Sequence, residues 1–309
     1  MFRLVHVLGI AAAIVSGCSS DSIKHGASGG GGGASGGGGA AGGGVAGGTA
    51  GGGGTAGGGT AGGGGGSNDV FTVYAHSNTD LFTIDLANKT LVHVGAFNAP
   101  GSDTIQDLAV APNNVIYVLG ATTLYTADPT DGHVTTVLDI GSVCGSDNVA
   151  LTTTPDGLLF AGDFYGAFCK IDIGASPPAL TQVAKAHSGT GWAISGDVVG
   201  IGDGTVYGTA YDQDSGQSAT KDSNWLVKID PATGTITQQI GATGFPNLYG
   251  VAYAMGQVFG FTHDSSGRVV TIDPQTGVGT LYNTFTDPTT GKPASFAGAG
   301  VNSMVPPIQ

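Results

Sequence analysis

Glutamate is absent from this chain of 309 residues: all 22 acidic side chains are aspartate. Basic residues are scarce too, nine Lys and Arg in all, so the formal net charge is −13. That balance argues against nucleic acid or anionic lipid held by charge, since both need a positive surface. The lack of Glu removes one of the two residue types from which paired-carboxylate acid–base sites are built, although two aspartates alone can serve. Neither a Gly-x-Ser-x-Gly elbow nor a His-Glu-x-x-His motif occurs. Cysteine is limited to Cys18, Cys144 and Cys169, and no second Cys or His stands at metal-ligand spacing from the latter two. Neither a metal nor a cofactor is therefore expected. Apolar runs of membrane-spanning length are missing as well.

What is present falls into three parts: residues 1–17, 18–68 and 69–309. The first carries Arg3, then a short apolar run over 7–15, the layout of an export signal. It ends in Val15-Ser16-Gly17-Cys18, which resembles the bacterial lipobox. That resemblance implies cleavage before Cys18, lipidation of its sulfur and acylation of its amine, enough acyl chains for stable membrane anchoring. Ser19 after the cysteine implies outer-membrane sorting in a Gram-negative envelope, hence a surface-exposed cell-envelope lipoprotein. Residues 18–68 are mostly Gly with Ala, Ser and Thr. Glycine has the most backbone entropy to lose and nothing to bury, so this stretch reads as a flexible tether spanning roughly 40 Å.

From residue 69 onward apolar and polar residues alternate in short runs, and no long segment has a helical period, which predicts an all-β domain. Its clearest unit is residues 225–241, WLVKIDPATGTITQQIG, a strand, an Asp-Pro-x-Thr-Gly turn and a second strand. Proline presets φ inside the turn, Asp bonds back to following amides, and Gly takes the positive-φ position. Copies start at Leu81, Leu124, Phe168 and Val269, mostly 43–44 residues apart, the period of four-stranded propeller blades. The first unit lacks its inner strand, and residues 296–301 at the far end resemble the inner strand near Leu248. The prediction is a five-bladed β-propeller closed by the C-terminal strand, with no open sheet edge at the closure. The copies resemble the L-[FY]-x-I-D-P-x-T-G repeats of secreted and envelope-anchored bacterial β-propellers. That resemblance implies a fold and leaves the activity open.

Single residues follow from this frame. Asp85, Asp128, Asp172, Asp230 and Asp273 head the repeated turns and read as structural. Cys144 and Cys169 lie in one blade, and in an exported chain two remaining cysteines favour a disulfide. His93 and His133 fall on outer strands and read as exposed, whereas His76, His187 and His263 fall at strand-end loops. Strand direction puts the short A–B and C–D turns on one face and the variable B–C and D–A connections on the other. Binding residues concentrate on variable loops over a rigid scaffold. The candidate binding face therefore holds Asp103, Asp147, Asp163, Tyr165, His187, His263 and Asp264, with Asp212 and Asp214 in an insertion over 212–224. The expected function is a binding module for a glycan, a peptide or another envelope protein. The competing expectation is a hydrolase or lyase of extracellular polysaccharide, using an Asp pair in the central funnel; a ligand-free spacer is a third. Two converging funnel carboxylates favour the enzyme, and an uncharged aromatic patch on one face favours binding.

Overall fold

The computed structural model describes residues 72–146, 148–164, 166–184 and 191–302. The proposed signal, Cys18 and the glycine tether lie outside them, as do Asp147, Tyr165 and His187. The described residues form twenty strands. β1 (Thr72–His76), β2 (Asp80–Asp85) and β3 (Thr90–Ala96) come first and await a fourth. The second blade is β4 (Asp107–Val110), β5 (Ile116–Leu119), β6 (Thr123–Ala127) and β7 (Val134–Asp139). The third is β8 (Asn148–Thr153), β9 (Leu159–Asp163), β10 (Phe168–Asp172) and β11 (Ala179–Ala184). The fourth is β12 (Trp192–Gly200), β13 (Val206–Asp212), β14 (Trp225–Asp230) and β15 (Thr235–Ala242). The fifth is β16 (Leu248–Ala254), β17 (Gln257–Thr262), β18 (Arg268–Ile272) and β19 (Gly279–Thr284). Last comes β20 (Gly298–Gly300), which joins the first sheet in the order β20-β1-β2-β3.

Within each blade neighbouring strands are antiparallel. The inner strands β4, β8, β12, β16 and β20 touch in sequence and β20 touches β4, so the ring closes with five blades. The closing strand pairs Tyr74↔Gly300, Ala75↔Ala299 and His76↔Gly298, as the missing first strand requires. Its paired part is shorter than the 296–301 expected: ahead of it the Phe296 amide donates to the Thr262 carbonyl and the Ala297 amide to the His76 carbonyl. The fourth inner strand begins at Trp192 and carries a bulge between Ile194 and Val198.

The core lies in the seams between blades. Leu81 and Phe97 of the first blade pack with Leu108 and Tyr125 of the second. Leu119 and Leu124 pack with Leu151 and Ile171 across the next seam, and Val199 and Leu226 with Leu248 and Val270 further round. Inner strands are buried on both faces, as in β4 and β8, whereas outer strands such as β15 are half exposed. The turns behave as their chemistry dictates. Asp85, Asp128, Asp172, Asp230 and Asp273 each accept a backbone N–H from two or three residues on, at 2.7–3.0 Å. Gly234 closes its turn at φ 66°, where a side chain would be strained.

Among the described residues two short helical turns interrupt the all-β pattern, a 3₁₀ turn at Pro100–Ser102 and α1 (Gly141–Cys144). The second holds Cys144 against Cys169 of β10 in a disulfide, with Cα atoms 5.3 Å apart.

Candidate functional site

Every second connection in the ring opens on the face reached by the ends of the B strands. Three of those ends carry a ring at the same register position: Phe164 after β9, Tyr211 within β13 and His263 after β17. Tyr249 of β16 completes the group. Phe164 lies 6.5 Å from Tyr211 and 6.3 Å from Tyr249, and Tyr249 lies 5.1 Å from His263. All four residues are half-buried. The backbone of Tyr249 sits directly on Gly196, where any Cβ would collide with it. Burial, then the neighbouring Tyr211, pushes the Tyr249 pKa up, and burial outweighs Asp264 to push His263 down. Both shifts favour the uncharged form of their group.

The insertion over 212–224 is built into the rim. Asp212 folds its start by accepting the N–H groups of Asp214 and Ser215 at 3.1 and 3.3 Å. At its end Asn224 is fully buried, donating to Ala219 at 3.0 Å and accepting from the Leu248 amide at 2.8 Å. The insertion is thus fastened to the inner strand that carries Tyr249.

Of the expected site residues, Asp163, Asp212 and His263–Asp264 flank or belong to this wall. Asp163 is buried and closes the β9–β10 turn by accepting the Ala167 amide at 2.7 Å. Asp264 pairs with Arg268 at 2.5 Å, and Asp214 is exposed. Asp103 belongs elsewhere: it accepts the Tyr125 hydroxyl at 3.0 Å and holds a loop of the second blade together. Tyr211 and Tyr249 were not foreseen, whereas strand direction already puts Phe164, in the connection after Asp163, on this face. The available signal was an aromatic ring beside an Asp at the end of successive B strands.

Two aspartates do meet at the axis, Asp107 of β4 and Asp197 of β12, close enough for each carboxyl group to affect the other's ionisation. Both are fully buried. Asp107 accepts the amides of Leu108 and Leu151 at 2.8 and 2.5 Å. Asp197 accepts those of Val198, Val251 and Ala299 at 2.5, 2.6 and 3.3 Å. With every oxygen engaged and no solvent access, this pair is placed as inner-strand cement, not as a sugar-facing acid and base. The axial gap beside it, lined by residues such as Leu151, Val199 and Gly300, encloses about 10 Å³, scarcely room for one water.

His76 also differs from expectation. It ends β1 with no exposure, its Nδ1 donating to the Ser77 carbonyl at 2.7 Å and its Nε2 lying 4.0 Å from Asp107. Of the outer-strand histidines, His93 is partly covered and bonds Asp80 at 2.9 Å, and His133 is exposed. Among the described residues no three His, Cys or Asp side chains converge to hold a metal. Open concavities of about 370 and 490 Å³ lie on the opposite face, beside the turns at Pro274 and at Pro155 and Pro231.

No protein-family model matches the chain, and no curated protein does. Solved structures resemble it. A chain of a nidogen/laminin complex is 14% identical, with 75% of this chain and 98% of that chain covered at a TM-score of 0.48. A Bacteroides caccae protein of unknown function is 8% identical over 74% and 98%, at 0.43. Myxococcus xanthus glutaminyl cyclase is 16% identical over 74% and 73%, at 0.40. The five-bladed assignment rests on this chain's own strand order and closed inner ring.

Proposed function

We propose that this chain is a binding module: a propeller that presents the wall of Phe164, Tyr211, Tyr249 and His263 to an uncharged glycan. One observation carries the reading, the gathering of four half-buried rings from three blades on the face of variable loops. Half-buried rings on a rigid frame bind at little cost in side-chain entropy, and the apolar face of a sugar ring stacks on them. The net charge of −13 disfavours anionic polysaccharides. In the same proposal Cys18 carries lipid and residues 19–68 tether the propeller to the envelope. Mass spectrometry of the membrane fraction should find Cys18 as an acylated first residue, and an unmodified terminus elsewhere would reject the anchor. A glycan array with the wild-type chain and Tyr249→Ala tests the binding. The expected result is a neutral-glycan signal that falls roughly tenfold or more in the variant, as loss of a central aromatic contact does. Retention of the full signal by Tyr249→Ala, or a ligand seated on the opposite turn face, would defeat the reading.

A further inference from the structure

The axial aspartates stand at equivalent positions in a ring whose other members are small. Asp107, Ala150, Asp197, Gly250 and Gly298 each precede the amide that points to the axis, in Leu108, Leu151, Val198, Val251 and Ala299. The two carboxyl groups collect all five of those amides, one from each blade. Gly298 leaves the space that Asp107 and His76 fill, since a Cβ there would strike both. Five N–H donors sustain one buried negative charge; nothing nearby sustains a second.

We propose that Asp107 and Asp197 hold one proton between them, and that this proton is a latch: present, it ties the five blades together; lost as pH rises, it loosens the ring at its closing strand β20. Two fully buried carboxyl groups that converge on one ring of five amides need a proton between them to attract rather than repel, because two carboxylates are acceptors only. Burial foremost holds both groups well above the usual carboxylate range, with the charge of Asp197 adding to the rise at Asp107. The titratable groups that face the pair offer no counter-charge. His76 on β1 donates from Nδ1 to a carbonyl, and burial pushes its pKa down to about 4, so it is neutral. His263 lies beyond it and is also lowered by burial. Of the inner strands, β8 and β20 carry no titratable side chain, and β16 carries only Tyr249 and Tyr253. β20 is the weak point because it is three residues long and its Ala299 amide makes the longest of the five bonds, 3.3 Å.

The sign follows from linkage. A carboxyl pair protonated in the folded state and ionised in the unfolded chain contributes stability that is full below the unfolded pKa. That contribution is lost as pH rises through the folded one. The test measures denaturant midpoints of the full chain from mildly acidic to alkaline buffer, for wild type, Asp107→Asn and Asp197→Asn. For wild type the folding equilibrium should weaken with rising pH, by up to tenfold per unit for one linked proton. In the Asn variants the amide supplies the shared hydrogen permanently, so that dependence should vanish. Should the variants not fold, infrared difference spectra of the wild type decide: one protonated carboxyl band should be present at neutral pH and fade in alkali. Amide exchange at Ala299 should quicken in step. A wild-type midpoint flat across this range, a slope shared by the variants, or no protonated carboxyl in the folded chain would overturn the latch. A dependence abolished by a chelator would overturn it in favour of a bound cation.

Discussion

Replacing Phe296 by alanine removes the side chain that anchors ring closure. Phe296 is completely buried just ahead of β20, edge-on to Phe261 at 5.7 Å and to Phe285 at 6.5 Å. Its amide donates to the Thr262 carbonyl at 3.0 Å, so the segment is fixed to the fifth blade before it pairs with the first. Area alone, 150–250 Å² of ring at about 25 cal/mol per Å², sets an upper bound of roughly 4–6 kcal/mol. Core Phe→Ala changes cost about 3–5 kcal/mol, and we expect about 4 here. In a domain of this size that lowers Tm by roughly 8–16 °C. Chemical denaturation followed by tryptophan fluorescence reads the loss, with Val278→Ala, 58% exposed, as a control that should shift less than about 0.5 kcal/mol. A Phe296→Ala loss under about 1 kcal/mol would mean that this segment does not close the ring.

Reduction of the Cys144–Cys169 bond, or Cys144→Ser with Cys169→Ser, should cost about 3 kcal/mol, because the bond spans 25 residues; equal midpoints with and without reductant would refute this. Asp264 titrates with the opposite sign to the axial pair. Burial opposes its ionisation, but bonds from Ser266, Thr262 and Arg268 hold its pKa below the ordinary 3.8. Its contribution is present above that value and lost as pH falls through the lowered one, so Asp264→Asn should flatten the acid limb below about pH 4 and leave the neutral range alone. Shortening residues 212–224 to a two-residue turn should destabilise the fifth blade as well as its own, because Asn224 caps the Leu248 amide. Hydrogen exchange at Leu248 unchanged in that variant would show the insertion to be a passive excursion.

The sequence by itself determined the fold to the level of blade count and closure, since local chemistry repeats visibly. Asp-Pro-x-Thr-Gly encodes a turn wherever it stands, as the bonds to Asp230 and Asp273 show. Alternation encodes a strand, and the missing first strand in one unit required its counterpart at the other end. The disulfide was legible for the same reason, two cysteines within one blade. The sequence did not reveal which side chains share a place once the ring forms. Asp107 and Asp197 are 90 residues apart, each in an unremarked strand, and only closure brings them to one axis where burial changes their chemistry. His76 looked like a loop residue, but the packing of Gly298 beside it makes it part of that axis. Phe164, Tyr211, Tyr249 and His263 are likewise scattered through three blades, and proximity between them exists only after the strands converge. Local rules act over a few bonds of chain; charge, burial and ring contacts act through space, and only the tertiary structure supplies the distances on which they depend.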